Sequence, residues 1–375
     1  MNTPSNPFLI SGYYSAEYFC DRKTETDKIR SALTNGRNIT LISIRRIGKT
    51  ALIEHVFNRF RGKSNAGFIH IDIYPTQNLT DFLSALGKGI FNSRSSKTTK
   101  FIDTLMRFFS SIGATIVYDA VSGQPSFELK YHDPKRTAKS IDHLFDYLEK
   151  SGKQFYIAID EFQQISNYPE KNVEALLRSK IQHLKNVHFI FSGSHKHVLI
   201  SMFADYKRPF YQSTDMMFLD SIDPVIYEDF IFRHFSNARR QIKRESIKLI
   251  LEWCRNHTYY VQYVCNRLYA NNIKKINDAE VLAVFSEVLE ETKATYFNYR
   301  NLLTDAQWNL LCAIANEEHA AMPTSAKFMK KYNLGGPSTI NRSLTALLDK
   351  EMLLKDEKGY FVYDVFFSRW LEKLQ

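Results

Sequence analysis

Cysteine is scarce and scattered. The 375 residues hold four, at Cys20, Cys254, Cys265 and Cys312, with no C-x-x-C pair. That spacing argues against a disulfide framework or a zinc site and fits buried thiols in a reducing compartment. No run approaches the ~18 consecutive apolar residues of a membrane span. The opening residues Met1-Asn2-Thr3-Pro4-Ser5-Asn6-Pro7 have neither a basic stretch nor a long apolar core, so no secretory leader is expected. There is no internal repeat, no low-complexity linker, and no nuclease, protease or kinase signature. A cytoplasmic chain with no membrane partner is the expectation.

What is present is a modest excess of positive charge, 50 Lys and Arg against 40 Asp and Glu. Residues 1–220 carry 29 basic and 21 acidic groups, whereas 221–299 and 300–375 are nearly balanced. The positive field therefore belongs to the first segment, where it would attract a polyanion, a nucleotide as readily as a nucleic acid.

Buried strands are read at 38–44, 67–73, 155–159, 188–192 and 216–219, from β-branched and apolar runs. Helical patterns lie between most of them. That alternation predicts an α/β core with a parallel sheet and helices on both faces. Residues 93–139 interrupt it with two alternating segments, Ala114 to Tyr118 and Ser126 to Tyr131, read as a β-hairpin insertion. From Asp223-Pro224 to about Arg300 the pattern is helical and rich in aromatics. Beyond it come three helices, near 304–316, 324–332 and 338–349, and a hairpin through Glu357-Lys358-Gly359. Three helices and a two-stranded wing make a winged helix-turn-helix. The expected domains are 1–220, 221–299 and 300–375.

Chemistry is concentrated in three places. Gly48-Lys49-Thr50 follows a strand and opens a helix, as a phosphate-binding turn does. Glycine lets backbone amides approach phosphate, so Arg46, Ile47, Gly48, Lys49, Thr50 and Ala51 form the candidate cradle. Lys49 would reach the β- and γ-phosphates and Thr50 would ligate Mg²⁺. The full pattern G-x-x-x-x-G-K-[ST] begins with Gly, and Ser43 stands there. The second place is Asp160-Glu161, two carboxylates ending an apolar strand. Such an ending is costly unless a cation waits there. Asp160 suits the metal, and Glu161 suits the base that deprotonates the attacking water. The third is Ser192-Gly193-Ser194, where Ser194 is a catalytic candidate. His195-Lys196-His197 has metal-pair spacing but no third ligand, and reads as a solvated loop.

Arg45-Arg46-Ile47-Gly48-Lys49-Thr50, Ile159-Asp160-Glu161-Phe162-Gln163 and Ser192-Gly193-Ser194 together resemble the archaeal-type ATPase family. That family is a branch of the AAA+ and STAND P-loop ATPases. The likeness spans nearly the whole chain, from Asn6-Pro7-Phe8 and Phe19 to Glu25 through Leu303 to Gln307 and Trp370-Leu371. It implies a P-loop AAA+ sheet, an all-α lid over 221–299 and a C-terminal winged helix, with ATP or ADP and Mg²⁺ as cofactors. It implies that the entry segment, Asn6-Pro7-Phe8 with Phe19 to Glu25, folds over the adenine and that His257 is the lid's phosphate contact. Relatives often carry an arginine in P-L-Y-G-R. Here the segment is Pro209-Phe210-Tyr211-Gln212-Ser213, and Arg208 is the nearest substitute, read as a solvated cation.

The winged helix shows a capping box at Thr304 and Gln307, with Ser338 as the cap of its third helix. Thr339, Asn341, Arg342 and Thr345 face away from its core positions and are residue types that read a major groove. The balanced charge favours docking on the core or a protein partner over DNA, which would bind weakly. The leading function is an ATP-binding, slowly hydrolysing switch. The alternatives are a nucleotide-gated DNA-binding regulator and a scaffold that binds nucleotide without turnover.

Overall fold

The computed structural model describes residues 4–61, 66–93, 114–118, 125–129 and 134–374. They divide into two compact units. Ser11–Ser221 is one; the residues up to Ile10 together with those from Ile222 onward are the other.

The first unit is built on β1 (Ile39–Ile42), β2 (Gly67–Asp72), β5 (Phe155–Asp160), β6 (Val187–Gly193) and β7 (Asp215–Phe218), with β3 (Ala114–Tyr118) and β4 (Pro125–Leu129) paired apart from them. The five strands form one parallel sheet in the order β2-β5-β6-β1-β7. Side chains alternate between its faces, as the two-residue strand period demands. Phe155, Ile157 and Ile159 of β5 and Phe189 and Phe191 of β6 meet the helices Leu79–Asn92, Pro134–Lys150 and Lys196–Ala204. Tyr156, Ala158, Ile190, Ile39 and Leu41 point the other way, onto Lys23–Thr34 and Lys49–Phe60. Both faces are covered, so every strand of the sheet's centre reads as a continuous apolar run. Each large apolar side chain buried this way contributes about 1.5–3 kcal/mol. The hairpin β3–β4 is antiparallel, with Tyr118 opposite Pro125; the turn at 122–124 lies outside the described residues.

In the second unit, Asp223 caps Pro224–Asn237, accepting from the backbone N–H groups of Val225 and Ile226. Helices Arg244–Trp253, Thr258–Ala270 and Asp278–Arg300 follow. The helical run also holds one short parallel pair, Gln241–Ile242 with Lys275–Ile276, whose buried residues are Ile242 and Ile276. Phe8 is fully buried here, against Phe230, His234, Phe235 and Tyr269. The segment is pinned by Asn6 Nδ2 donating to the Asn266 carbonyl (2.9 Å) and Asn266 Nδ2 donating to the Phe8 carbonyl (2.7 Å).

The winged helix comprises Asp305–Glu317, Ala326–Lys331 and Pro337–Asp349, then two antiparallel strands, Leu353–Asp356 and Gly359–Val362. Its capping box is present at Thr304 and Gln307. The third helix starts differently from the sequence reading: Gly336 is its cap and Pro337 its first residue, so Ser338 lies inside the first turn and makes no cap. Proline's fixed φ suits that first position and decides the start. A further helix, Val365–Glu372, closes the chain, capped by Asp364 accepting from the Phe367 N–H. It fastens the winged helix to the preceding helices. Phe366 meets Trp253 and Tyr260, and Trp253 stacks on Phe285 at 3.9 Å. Arg255 and Arg369 share the carboxylates of Glu318 and Glu372.

Candidate functional site

Three strand ends of the first unit converge. β6 lies between β1 and β5, with Ile42 of β1 opposite Gly193 and Ile159 of β5 opposite Phe191. The loop after β1, the acids after β5 and the serines ending β6 are therefore neighbours, although up to 150 positions separate them in the chain.

The loop after β1 turns through two left-handed residues, Arg46 at φ +63° and Gly48 at φ +106°. The value at Gly48 is one that side chains rarely tolerate, and the space where its Cβ would stand is open to 4 Å. Gly48 is the N-cap of helix Lys49–Phe60, so the free amide donors of a helix start face that space. Ser43, at the pattern's missing glycine, has no positive φ; it is fully buried and its Oγ donates to the Ile44 carbonyl (2.8 Å). The backbone there does not require glycine.

Lys49 is buried, and its Nζ lies 3.4 Å from the Ile44 carbonyl. Burial holds its pKa below the ordinary lysine value; Asp160 and Glu161 push it back up, while Arg45 and Lys196 add to the lowering. Thr50 Oγ1 donates to Asp160 Oδ2 (2.9 Å), and the fully buried Ser192 donates to Asp160 Oδ1 (2.7 Å). Glu161 takes a left-handed conformation, φ +55°. Its Oε2 accepts from Gln163 Nε2 (2.5 Å), from Ser194 Oγ (2.9 Å) and from the Ser194 N–H (3.2 Å). Arg45 Nε in turn donates to Ser194 Oγ (3.1 Å), and its Nη2 is 3.3 Å from His195 Nε2. Across the ladder from Asp160 stands Asp72, its pKa raised mainly by desolvation, with Asp160 and Glu161 adding to the rise.

The structure thus brings together Arg46, Ile47, Gly48, Lys49, Thr50, Ala51, Asp160, Glu161 and Ser194. A hydroxyl and a carboxylate side by side, Thr50 and Asp160, are a fitting donor set for a hard divalent cation. Among the described residues no three or more His, Cys, Asp and Glu come together as a metal cluster. His257 belongs to the other unit, buried at the start of helix Thr258–Ala270 with its ring 4.8 Å from that of Tyr260. Arg208 is ion-paired with Glu174, its Nε 3.0 Å from Glu174 Oε2, rather than solvated. The glutamate's side chain is the more buried of the two, so the arginine turns inward to reach it.

Sequence reasoning missed Arg45, Gln163 and the role of Ser192. A serine ending a wholly apolar strand was the available signal for Ser192. Gln163 shows none beyond its place two residues after Glu161. It fits only because residue 193 is glycine: a Cβ there would stand 2.0 Å from Gln163 Oε1.

All four cysteines are buried, and burial raises the thiol pKa of Cys254, Cys265 and Cys312, that of Cys312 to about 11. No helix of the described residues is long and apolar enough to cross a membrane.

No curated protein matches the sequence. Among solved structures, a Walker-type ATPase of Pyrococcus abyssi is similar with a TM-score of 0.65 at 17% identity, covering 97% of this chain and 99% of the other. The ORC2 protein of Aeropyrum pernix, solved as ADPNP–ADP complexes, is similar with a TM-score of 0.60 at 14% identity, covering 98% and 96%. At these identities the likeness concerns the fold. Residues 294–373 match the family described as "probable winged helix domain". Residues 19–264, more than half of the chain, match the family described as an ATPase domain predominantly from Archaea, and the chain belongs to that family.

Proposed function

We propose that this chain is an ATP-binding, slowly hydrolysing molecular switch of the cytoplasm, whose nucleotide state sets the position of the helical lid and winged helix. The observation that carries the reading is the hydrogen bond from Thr50 to Asp160 across 110 residues of sequence. It places a hydroxyl and a carboxylate beside a buried lysine in front of an open glycine turn. In this reading the amides of residues 46–51 cradle the phosphates, and Lys49 pairs with the β- and γ-phosphates. Thr50 and Asp160 hold Mg²⁺, which neutralises charge on the transferring group when bound. Glu161 accepts the proton of the attacking water, and Ser194 keeps the carboxylate aimed. His257 is the lid's contact to nucleotide.

Slow turnover follows from the absence of arginine among residues 209–213 and from the engagement of Arg208 by Glu174. Lys49→Ala tests the assignment. Mg-ATP should raise the melting temperature of the wild type and leave the variant unmoved. An equal shift in both would refute the phosphate-loop reading.

A second reading, a nucleotide-gated DNA-binding regulator, is favoured by the third helix of the winged domain. Asn341, Arg342 and Thr345 are exposed while Ile340, Leu344 and Leu347 are buried. Against it, Asp356 and Glu357 occupy the wing beside Lys355 and Lys358, so few uncompensated cations face outward. The packing of Phe366 on Trp253 and Tyr260 supports a docking role for this domain.

A further inference from the structure

We infer that Gln163 is a positioning residue for hydrolysis: from the turn after β5 its side-chain amide holds one oxygen of Glu161 and leaves the other, Oε1, to take the proton of the attacking water. The inference rests on the reading of Glu161 as the base of an ATP site.

The two neighbouring acids are partnered differently. On Asp160 the donors are divided, Thr50 Oγ1 on Oδ2 and both Ser192 Oγ and the Glu161 N–H on Oδ1. On Glu161 all three donors fall on Oε2: Gln163 Nε2 at 2.5 Å, Ser194 Oγ at 2.9 Å and the Ser194 N–H at 3.2 Å. Oε1 accepts no hydrogen bond among the described residues. Lys49 and Asp72 lie within electrostatic range of the carboxylate, and neither is hydrogen-bonded to it. The last torsion of a glutamate side chain is broad and roughly two-fold, so the two oxygens would otherwise exchange places. Three donors on one oxygen remove that freedom and decide which of the two is presented.

Gln163 makes the shortest of the three contacts, and its mount is rigid. Glu161, at φ +55°, caps the short helix Phe162–Asn167. Phe162 is fully buried, its ring 4.4 Å from that of Phe191 and 5.3 Å from that of Phe210. Gln164 Nε2 donates to the Thr76 carbonyl (2.9 Å). Both neighbours of Gln163 are therefore fixed. Gln163 itself is buried, and its Oε1 has no hydrogen-bond partner among the described residues. Turning the amide over would set that oxygen against the carboxylate, so the donor end must face Glu161. A buried acceptor left unmet is a cost that an apolar side chain of the same length would avoid. What the amide contributes lies at its other end. The Ser194 hydroxyl, by contrast, is shared: it accepts from Arg45 Nε (3.1 Å) while donating to Glu161.

In hydrolysis the water oxygen bonds to the γ-phosphorus and one water proton passes to Glu161 Oε1. The bond from phosphorus to the β–γ bridging oxygen breaks, and its electron pair leaves with ADP. Oε1 must point at the water as that bond forms. Without the Gln163 amide only the donors of Ser194 restrain the carboxylate, and a reacting group misplaced by ~1 Å can lose ~10²-fold in rate. Nucleotide binding, which falls to Lys49, Thr50 and the loop amides, does not pass through Gln163.

The test is Mg-ATP hydrolysis by the full chain, for wild type, Gln163→Met, Gln163→Leu, Glu161→Gln and the double variant Gln163→Met with Glu161→Gln. Thermal unfolding with and without Mg-ATP certifies that each variant is folded and binds. Methionine and leucine keep most of the volume and remove the donor. Both variants should lose roughly 10- to 100-fold in kcat, with KM changed by less than about threefold. In the Glu161→Gln background, where no carboxylate is left to aim, Gln163→Met should change the residual single-turnover rate by less than about twofold. The inference is overturned if both donor-free variants hydrolyse at the wild-type rate or faster, or if their loss lies in KM. It is overturned equally if Gln163→Met slows the Glu161→Gln protein as much as it slows wild type, since the residue would then act on the fold and not through the carboxylate. Wild-type protein with neither hydrolysis nor a Mg-ATP thermal shift would overturn the ATP-site reading itself. An active wild type beside unaffected Gln163 variants would overturn this inference alone.

Discussion

Gly193→Ala offers a quantitative check on how Glu161 is held. The added Cβ would stand 2.0 Å from Gln163 Oε1 and 3.1 Å from its Cδ, but at an ordinary 3.5 Å from Leu199. The amide is the movable partner, so the Gln163 side chain must swing away and release Glu161 Oε2, now 2.5 Å from its Nε2. A hydrogen bond to a charged group contributes about 1.5–3 kcal/mol. Gly193→Ala should therefore destabilise the first unit by about that amount, even though alanine is otherwise the better strand residue. In a Gln163→Ala background the obstruction is gone, and the same change should cost close to nothing. The double-mutant cycle, followed by urea unfolding of the full chain, should show a coupling energy of about 1.5–3 kcal/mol. Additivity within about 0.5 kcal/mol would refute the contact as the cause. The Gly193→Ala protein should also hydrolyse Mg-ATP more slowly at nearly unchanged affinity.

Thr50→Val should leave the fold intact and raise the Mg²⁺ concentration needed for half-maximal nucleotide-dependent stabilisation; an unchanged requirement in a magnesium titration would remove Thr50 as ligand. Glu161→Gln should keep the Mg-ATP thermal shift and abolish turnover, and retained turnover would place the base elsewhere. Phe366→Ala should cost about 3–5 kcal/mol by emptying the space against Trp253 and Tyr260, visible as an earlier unfolding transition; a loss under 1 kcal/mol would argue that the last helix is not a fastening. Binding to duplex DNA should be weak, fall steeply between two salt concentrations and diminish in Arg342→Ala, whereas tight binding at physiological salt would reverse the preference for docking.

The parts legible in the sequence were those that local chemistry determines. Gly48-Lys49-Thr50 demanded an open turn at a helix start, and Asp160-Glu161, ending an apolar strand, demanded polar partners, which Thr50, Ser192, Gln163 and Ser194 supply. The alternation of apolar runs gave the sheet, and the Thr304–Gln307 box gave a helix start. What was not legible depends on where a side chain goes after the backbone is placed. Arg45 and Arg46 are chemically identical in sequence; only the turn at Arg46 sends one across the site and the other outward. Gln163 lies beside Glu161 in the chain, but its hold on the carboxylate depends on a glycine thirty residues later. Ser338 looked like a cap by composition and lost to Pro337, whose ring fixes the φ of a first turn. The closing helix was signalled only by Asp364 before a short apolar run, too little to separate it from the wing.

The burial of Phe8 among Phe230, Phe235 and Tyr269 puts it in the same unit as the residues from Ile222 onward. Residues 11–221 are, topologically, an insert within the helical unit. During synthesis the insert can complete its sheet and both of its cores while Phe8 still lacks its aromatic neighbours. Those partners are made more than 220 residues later. The N-terminal segment is thus the last of the early residues to be sequestered, and its closure carries a large loop-entropy cost that its aromatic contacts must offset. A fragment cut after residue 221 would carry Phe8 exposed and gain nothing from it, whereas one spanning 11–221 would leave no aromatic unpaired at its start. The Asn6–Phe8 segment works as a stopper that fits only once residues 230–269 exist, so its protection from protease or hydrogen exchange reports that those helices have been made and folded.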